Sequence, residues 1–200
     1  MHFKDYPFQL PHAFIAGMYE QFPAVFNHFI KGVRPLSEFW DSVRSTDPRL
    51  LCHPMQSTPQ YKNNAVPMRI HVDAVPIGRG KNTSMKIVSI SSMTGEPGCT
   101  WLTKLLLFVM TSTAVVKNSV GKTWDRAWKI LIWSFEAMAK NKWPTHDWND
   151  EAFPADSWEG ERAGSTLCGE YTFRFFQIAG DLDELCNGFR LRHFNSTRNP

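Results

Sequence analysis

The chain has 200 residues, of which 42% are hydrophobic and 14% aromatic, with a formal net charge of +3. Such a composition can bury a core and excludes a disordered polymer, and two hundred residues suit one domain with an added arm. The charge is too small to imply nucleic-acid binding by itself, and no apolar run approaches the roughly 20 residues needed to cross a bilayer.

Residues 1–60 read as an arm. Pro7, Pro11, Pro23, Pro35, Pro48, Pro54 and Pro59 divide it into short pieces, because proline removes a backbone donor and blocks a helix interior. Short helices are predicted over His12–Gln21 and Ser37–Val43, the second opened by Pro35 with Glu38 in its first turn. Phe14, Met18, Phe22, Phe26 and Phe29 are spaced as one helical face, interrupted at Pro23. That pattern predicts an aromatic arm packed on the following domain.

Residues 61–200 read as that domain. In Pro67-Met-Arg-Ile-His-Val-Asp-Ala-Val-Pro76, Met68, Ile70 and Val72 alternate with Arg69, His71 and Asp73. Period two with β-branched residues predicts a half-buried strand, bounded by its prolines. Asp73 then lies near its C-terminal end, on the face away from Ile70 and Val72. A turn at Gly78-Arg-Gly-Lys-Asn82 leads to a second strand, Met85–Ser91. A second turn, Thr94–Gly98, leads to a third strand, Trp101–Met110, and periodicity alone leaves a helix over Leu102–Met110 as the alternative. Short turns between strands predict an antiparallel meander.

Thr123–Lys142 is the clearest helix. Thr123 suits its N-cap and Asp125 its positive end, while Lys140 and Lys142 suit its C-terminus before Pro144. Its apolar face is read as Trp124, Trp128, Leu131, Ile132, Phe135 and Met138. Residues 143–169 have no clear period and are acidic, with Asp147, Asp150, Glu151, Asp156, Glu159 and Glu161, which predicts a solvated insertion. A fourth strand, Tyr171–Ala179, runs into Gly180-Asp181, and a further helix is predicted from Leu182 to Phe189. The helical crossover makes this strand parallel to a strand of the sheet.

The four cysteines, Cys52, Cys99, Cys168 and Cys186, form no C-x-x-C pair. They read as reduced thiols of an intracellular protein, nuclear or cytosolic. Gly121-Lys-Thr123 opens a helix, but Val116 stands where a phosphate-binding loop needs its first glycine, so no nucleotide cofactor is expected. Gly78-Arg-Gly-Lys81 precedes a strand, not a helix, and is read as an ordinary turn.

The predicted fold is thus α/β: three antiparallel strands, a long crossover helix, then a fourth, parallel strand, preceded by a proline-broken helical arm. This order resembles the ribonuclease H-like fold of polynucleotidyl transferases. The segment Phe173-Arg-Phe-Phe-Gln-Ile-Ala-Gly-Asp181-Leu-Asp183, followed by His193-Phe-Asn-Ser196 and Pro200, resembles the second-aspartate segment of CACTA-type DDE transposases. The resemblance spans residues 66–200 by element order and rests on Asp73 and Asp181 by motif. It implies that the first and fourth strands lie side by side and that Asp73 and Asp181 are catalytic metal ligands. It further implies Mg²⁺ or Mn²⁺ as the metal, DNA as the partner, and DNA strand cleavage or transfer as the reaction. The sequence reaches Pro200 before the family's cysteine pair and before its third acid, so a truncated and inactive fragment is one expectation. The alternative is a non-catalytic interaction domain with a similar sheet, serving a protein partner, in which the two aspartates lie apart or are engaged by arginine or lysine. His71 and Glu136 are read as a half-exposed strand histidine and a solvated helix glutamate.

Overall fold

The computed structural model describes residues 7–43, 47, 54–58, 60–77, 84–96, 103–111, 114 and 122–180. The arm begins with α1 (Pro11–Gln21), started by proline at its first position, where the missing N–H costs nothing. One turn of α2 (Pro23–Val25) follows and widens into a π-helical turn, Phe26–Lys31. Next come α3 (Leu36–Ser42) and the single turn α4 (Tyr61–Asn64).

Strands β1 (Ala65–Pro76), β2 (Ser84–Ser92), β3 (Leu105–Thr111) and β4 (Thr172–Gly180) form one sheet in the order β3-β2-β1-β4. β1–β2 and β2–β3 are antiparallel, and β1–β4 is parallel. The long helix α5 (Lys122–Lys140) lies between β3 and β4 in the chain, and the short α6 (Trp158–Arg162) follows it. A mixed α/β sheet with three antiparallel strands and a fourth parallel one is therefore present. The predicted helix over 182–189 lies outside the described residues.

One face of the sheet is apolar. Met68, Ile70 and Val72 of β1 are buried, and so are Val88 and Ile90 of β2 and Phe108 of β3. Two helices cover this face. Phe135 of α5 packs on Phe175 of β4 with ring centroids 3.9 Å apart, Trp124 of α5 meets Phe108, and Phe26 meets Phe173. The core thus joins arm and sheet, with Ile15, Phe26, Ile30 and Trp40 buried alongside the strands. The indole N–H of Trp40 donates to the Ala65 carbonyl at 2.7 Å, tying α3 to the start of β1.

Three local readings change. The buried line of α5 runs through Thr123, Ala127, Leu131, Ser134 and Met138, while Ile132 is 54% exposed. Small Ala127 and Ser134 fill positions on the buried line, and Ile132 sits about 100° of helical turn from Leu131, outside the buried stripe. The helix starts at Lys122, which puts Thr123 inside its first turn instead of at the cap. Phe22 likewise leaves the predicted arm face and is exposed, because the chain breaks direction between α1 and α2.

The acidic insertion is anchored and not merely solvated. Trp143, Leu167 and Cys168 are buried, while Asp150, Glu151, Asp156, Glu159 and Glu161 are exposed. The Asp147 carboxylate accepts from the backbone N–H groups of Asn149 and Glu151 at 2.8 and 2.9 Å, which closes the turn. The guanidinium of Arg162 stands 4.3 Å from the centre of the Trp158 ring, which packs edge-on to Trp143. Such anchors come from single aromatic residues and give no period to read.

Candidate functional site

The candidate site is built on β1, one of the two strands paired on both sides. Its alternation sends Arg69, His71 and Asp73 to the face opposite Met68, Ile70 and Val72. Asp73 is half-buried and lies opposite Ile87 of β2. On its other side, Val72 pairs with Gly180, the last residue of β4. β1 and β4 are parallel neighbours, so both run toward the same end of the sheet. Asp73 sits one residue past the last β1–β4 pair. Asp181, which follows Gly180 in sequence, lies outside the described residues, as does Asp183.

Among the described residues, no lysine or arginine forms an ion pair with Asp73 and no hydrogen bond engages its carboxylate. Its lone pairs are free to accept a proton donor or a cation. The same residues contain no cluster of three or more His, Cys, Asp or Glu side chains able to hold a metal ion.

Neighbours on the same face were not singled out from the sequence as a group. The Nε–H of Arg69 donates to Oε1 of Gln177 across the β1–β4 pair at 2.8 Å. Ser91 pairs with Arg69, Ser89 with His71, and Leu106 of β3 with Ser89. His71 is half-buried. Burial holds its imidazole below its ordinary pKa, helped by the charge of Lys104 and opposed by Asp73. The signal that marks this group is the period-two spacing of residues 69, 71 and 73. It was used to place the strand and not to collect its polar side chains.

The other candidates stay apart. Glu136 is exposed on α5 and pairs with Lys140 at 3.2 Å, one helical turn away. Gly121 and the Gly78–Lys81 turn lie outside the described residues. Cys168 is buried, and burial pushes its thiol up to about 12. No described helix is long and apolar enough to cross a membrane. Compared with family models, curated proteins and solved structures, the chain matches none.

Proposed function

We propose that this chain is a ribonuclease H-like domain of transposase type, acting on DNA in metal-dependent strand cleavage or transfer, with Asp73 and Asp181 as its metal ligands. The observation that carries the reading is the pairing of β1 with β4. The sheet order and the parallel Val72–Gly180 pair bring together two residues that are far apart in sequence, each followed directly by an aspartate. The free, half-buried carboxylate of Asp73 suits a hard divalent ion, since magnesium and manganese prefer oxygen donors. Bound there, such ions would activate a water and stabilise the leaving oxygen of a phosphoryl transfer.

The chain's own residues set the conditions. Asp73 contributes a negative charge and two oxygens from a rigid central strand. Pairing with β2 at Asp73 and with β4 one residue earlier fixes the backbone from which that carboxylate projects. A non-catalytic domain would leave the two aspartates apart or engage them with lysine or arginine, and no described residue engages Asp73 in that way. A nuclear or cytosolic location fits this reading, since the proposed substrate is DNA and the Cys168 thiol is unpaired.

The test is thermal unfolding with and without Mn²⁺. Ligand binding to the folded state stabilises it by about 2.7 kcal/mol at a hundred times the dissociation constant. Asp73→Asn and Asp181→Asn should each abolish that gain; Asp73→Asn should leave the metal-free protein at least as stable, because no described cation pairs with Asp73. Equal metal response in all three proteins refutes the assignment.

A further inference from the structure

The polar face of the sheet carries more than Asp73. Strand pairing aligns its side chains in rows. Ser91, Arg69 and Gln177 form one row across β2, β1 and β4. Leu106, Ser89, His71 and Ala179 form the next, across all four strands. Val109, Ile87 and Asp73 form the row after that. Lys104 directly precedes β3 and is exposed, and the antiparallel pairing of Leu105 with Ile90 sets it alongside Ser91, beside the first row.

Two features of this face call for an outside partner. The Arg69 side chain is fixed, yet its partner is the neutral amide of Gln177 and not a carboxylate. Its positive charge is oriented but not compensated by any described residue, and the exposed Lys104 ammonium likewise has no acidic partner among them. A structural arginine on a half-buried strand would ordinarily be paired with an acid, because burying an unpaired charge is costly. Here the nearest acid on the strand is Asp73, four residues on. At about 3.3 Å per residue that separation is roughly 13 Å, too far for an ion pair. The same distance is roughly four nucleotides of B-form rise at 3.4 Å each.

We propose that Arg69, Lys104 and Ser91 form a seat for the phosphodiester backbone of DNA, from which the strand runs along β1 toward Asp73. The proposal rests on the reading of Asp73 as a metal ligand at the reacting end. Arg69 offers guanidinium N–H donors that its single bond to Gln177 leaves unused, Lys104 a mobile ammonium, and Ser91 a hydroxyl, all common phosphate contacts. Gln177 is a positioning residue that holds the guanidinium over the sheet. Asp73 repels phosphate when no cation is bound, so the backbone is gripped away from it and guided past it. The side chains between them, His71 and Ser89, add hydrogen-bonding groups.

The experiment is fluorescence anisotropy of a labelled DNA oligonucleotide with the full chain, in chelator and without divalent ions, over a salt series. Each phosphate contact contributes roughly 0.7 to 0.9 to the slope of log affinity against log salt. The Arg69→Gln, Lys104→Ala double variant should lose two such contacts. Between about 50 and about 200 mM salt, the wild type should lose about tenfold more affinity than the double variant does. Lys104→Ala alone, at an exposed position that does not threaten folding, should lower the slope by one contact. Gln177→Leu should weaken binding with the slope unchanged, since the charge remains but its orientation is lost. Asp73→Asn should bind at least as tightly as wild type. Absence of binding by the wild type overturns the proposal. So does a Lys129→Ala control, changed on the exposed side of α5, that weakens binding as much as Lys104→Ala. Either failure leaves the Mn²⁺ unfolding test untouched, so loss of the seat and loss of the metal site are separately detectable.

Discussion

Lowering the pH should loosen the arm from the sheet through one residue, His12. It sits in the first turn of α1, is 4% exposed, and faces α5. The Ser134 hydroxyl oxygen accepts from the backbone N–H of His12 at 3.1 Å and lies 2.7 Å from its Nδ1. Trp133 and Trp143 enclose the ring edge-on, at 5.0 and 5.4 Å between centroids. Burial brings the His12 pKa down to about 4, against about 6.5 in the unfolded chain. Between those values the unfolded state binds a proton that the folded state does not. Stability is therefore complete above about pH 6.5 and is lost as pH falls toward 4. A difference of roughly 2.5 pKa units at 1.36 kcal/mol each gives about 3 kcal/mol, a large part of the 5–15 kcal/mol that typically holds a domain together. The assay is urea unfolding followed by tryptophan fluorescence from about pH 7.5 to about pH 4, for wild type and His12→Gln. The wild type should lose about 3 kcal/mol more than the variant over that range. Parallel pH profiles for the two proteins would refute the assignment of a buried neutral imidazole.

Two further outcomes follow from packing. Phe135→Ala should cost about 2–3 kcal/mol in chemical unfolding, below the 3–5 of a fully buried phenylalanine, because Phe135 is half-buried and its main partner is the Phe175 ring. Cys168 should resist alkylation in the folded protein near pH 8 and react only on unfolding, because the buried thiol stays protonated; rapid native modification would contradict its burial.

The sheet was legible because its information is local and periodic. Alternation in residues 68–75 and 85–91 placed β1 and β2 to within a few residues, and the proline and glycine punctuation separated them. Amphipathic spacing placed α5, and parallel pairing of β4 followed from a crossover helix between β3 and β4. Finer features were not legible, because they depend on what packs where. β1 begins at Ala65, before Pro67, since the missing N–H of Pro67 is tolerated while its carbonyl accepts from Met93 at 2.9 Å. The exposure of Ile132 depends on the narrow contact of α5 with its neighbours, which single-helix periodicity does not contain. Of the candidate site, Asp73 and its face were readable from strand parity. The Arg69–Gln177 contact was not, because it joins two strands through a register shift at Met68 and Arg69. Gly95 shows the same limit. A side chain there would collide with the Phe29 carbonyl, a close approach between the arm and the turn after β2 that no local pattern announces.

The central claim is that Asp73 marks a divalent-ion site at the shared end of β1 and β4. Amide NMR with substoichiometric Mn²⁺ tests it most directly, since the paramagnetic ion broadens the signals nearest to it. Broadening should centre on Val72, Asp73, Ala74 and Gly180 and disappear in Asp73→Asn. Broadening centred instead on the exposed acids of the 147–161 segment, or unchanged by Asp73→Asn, would contradict the claim.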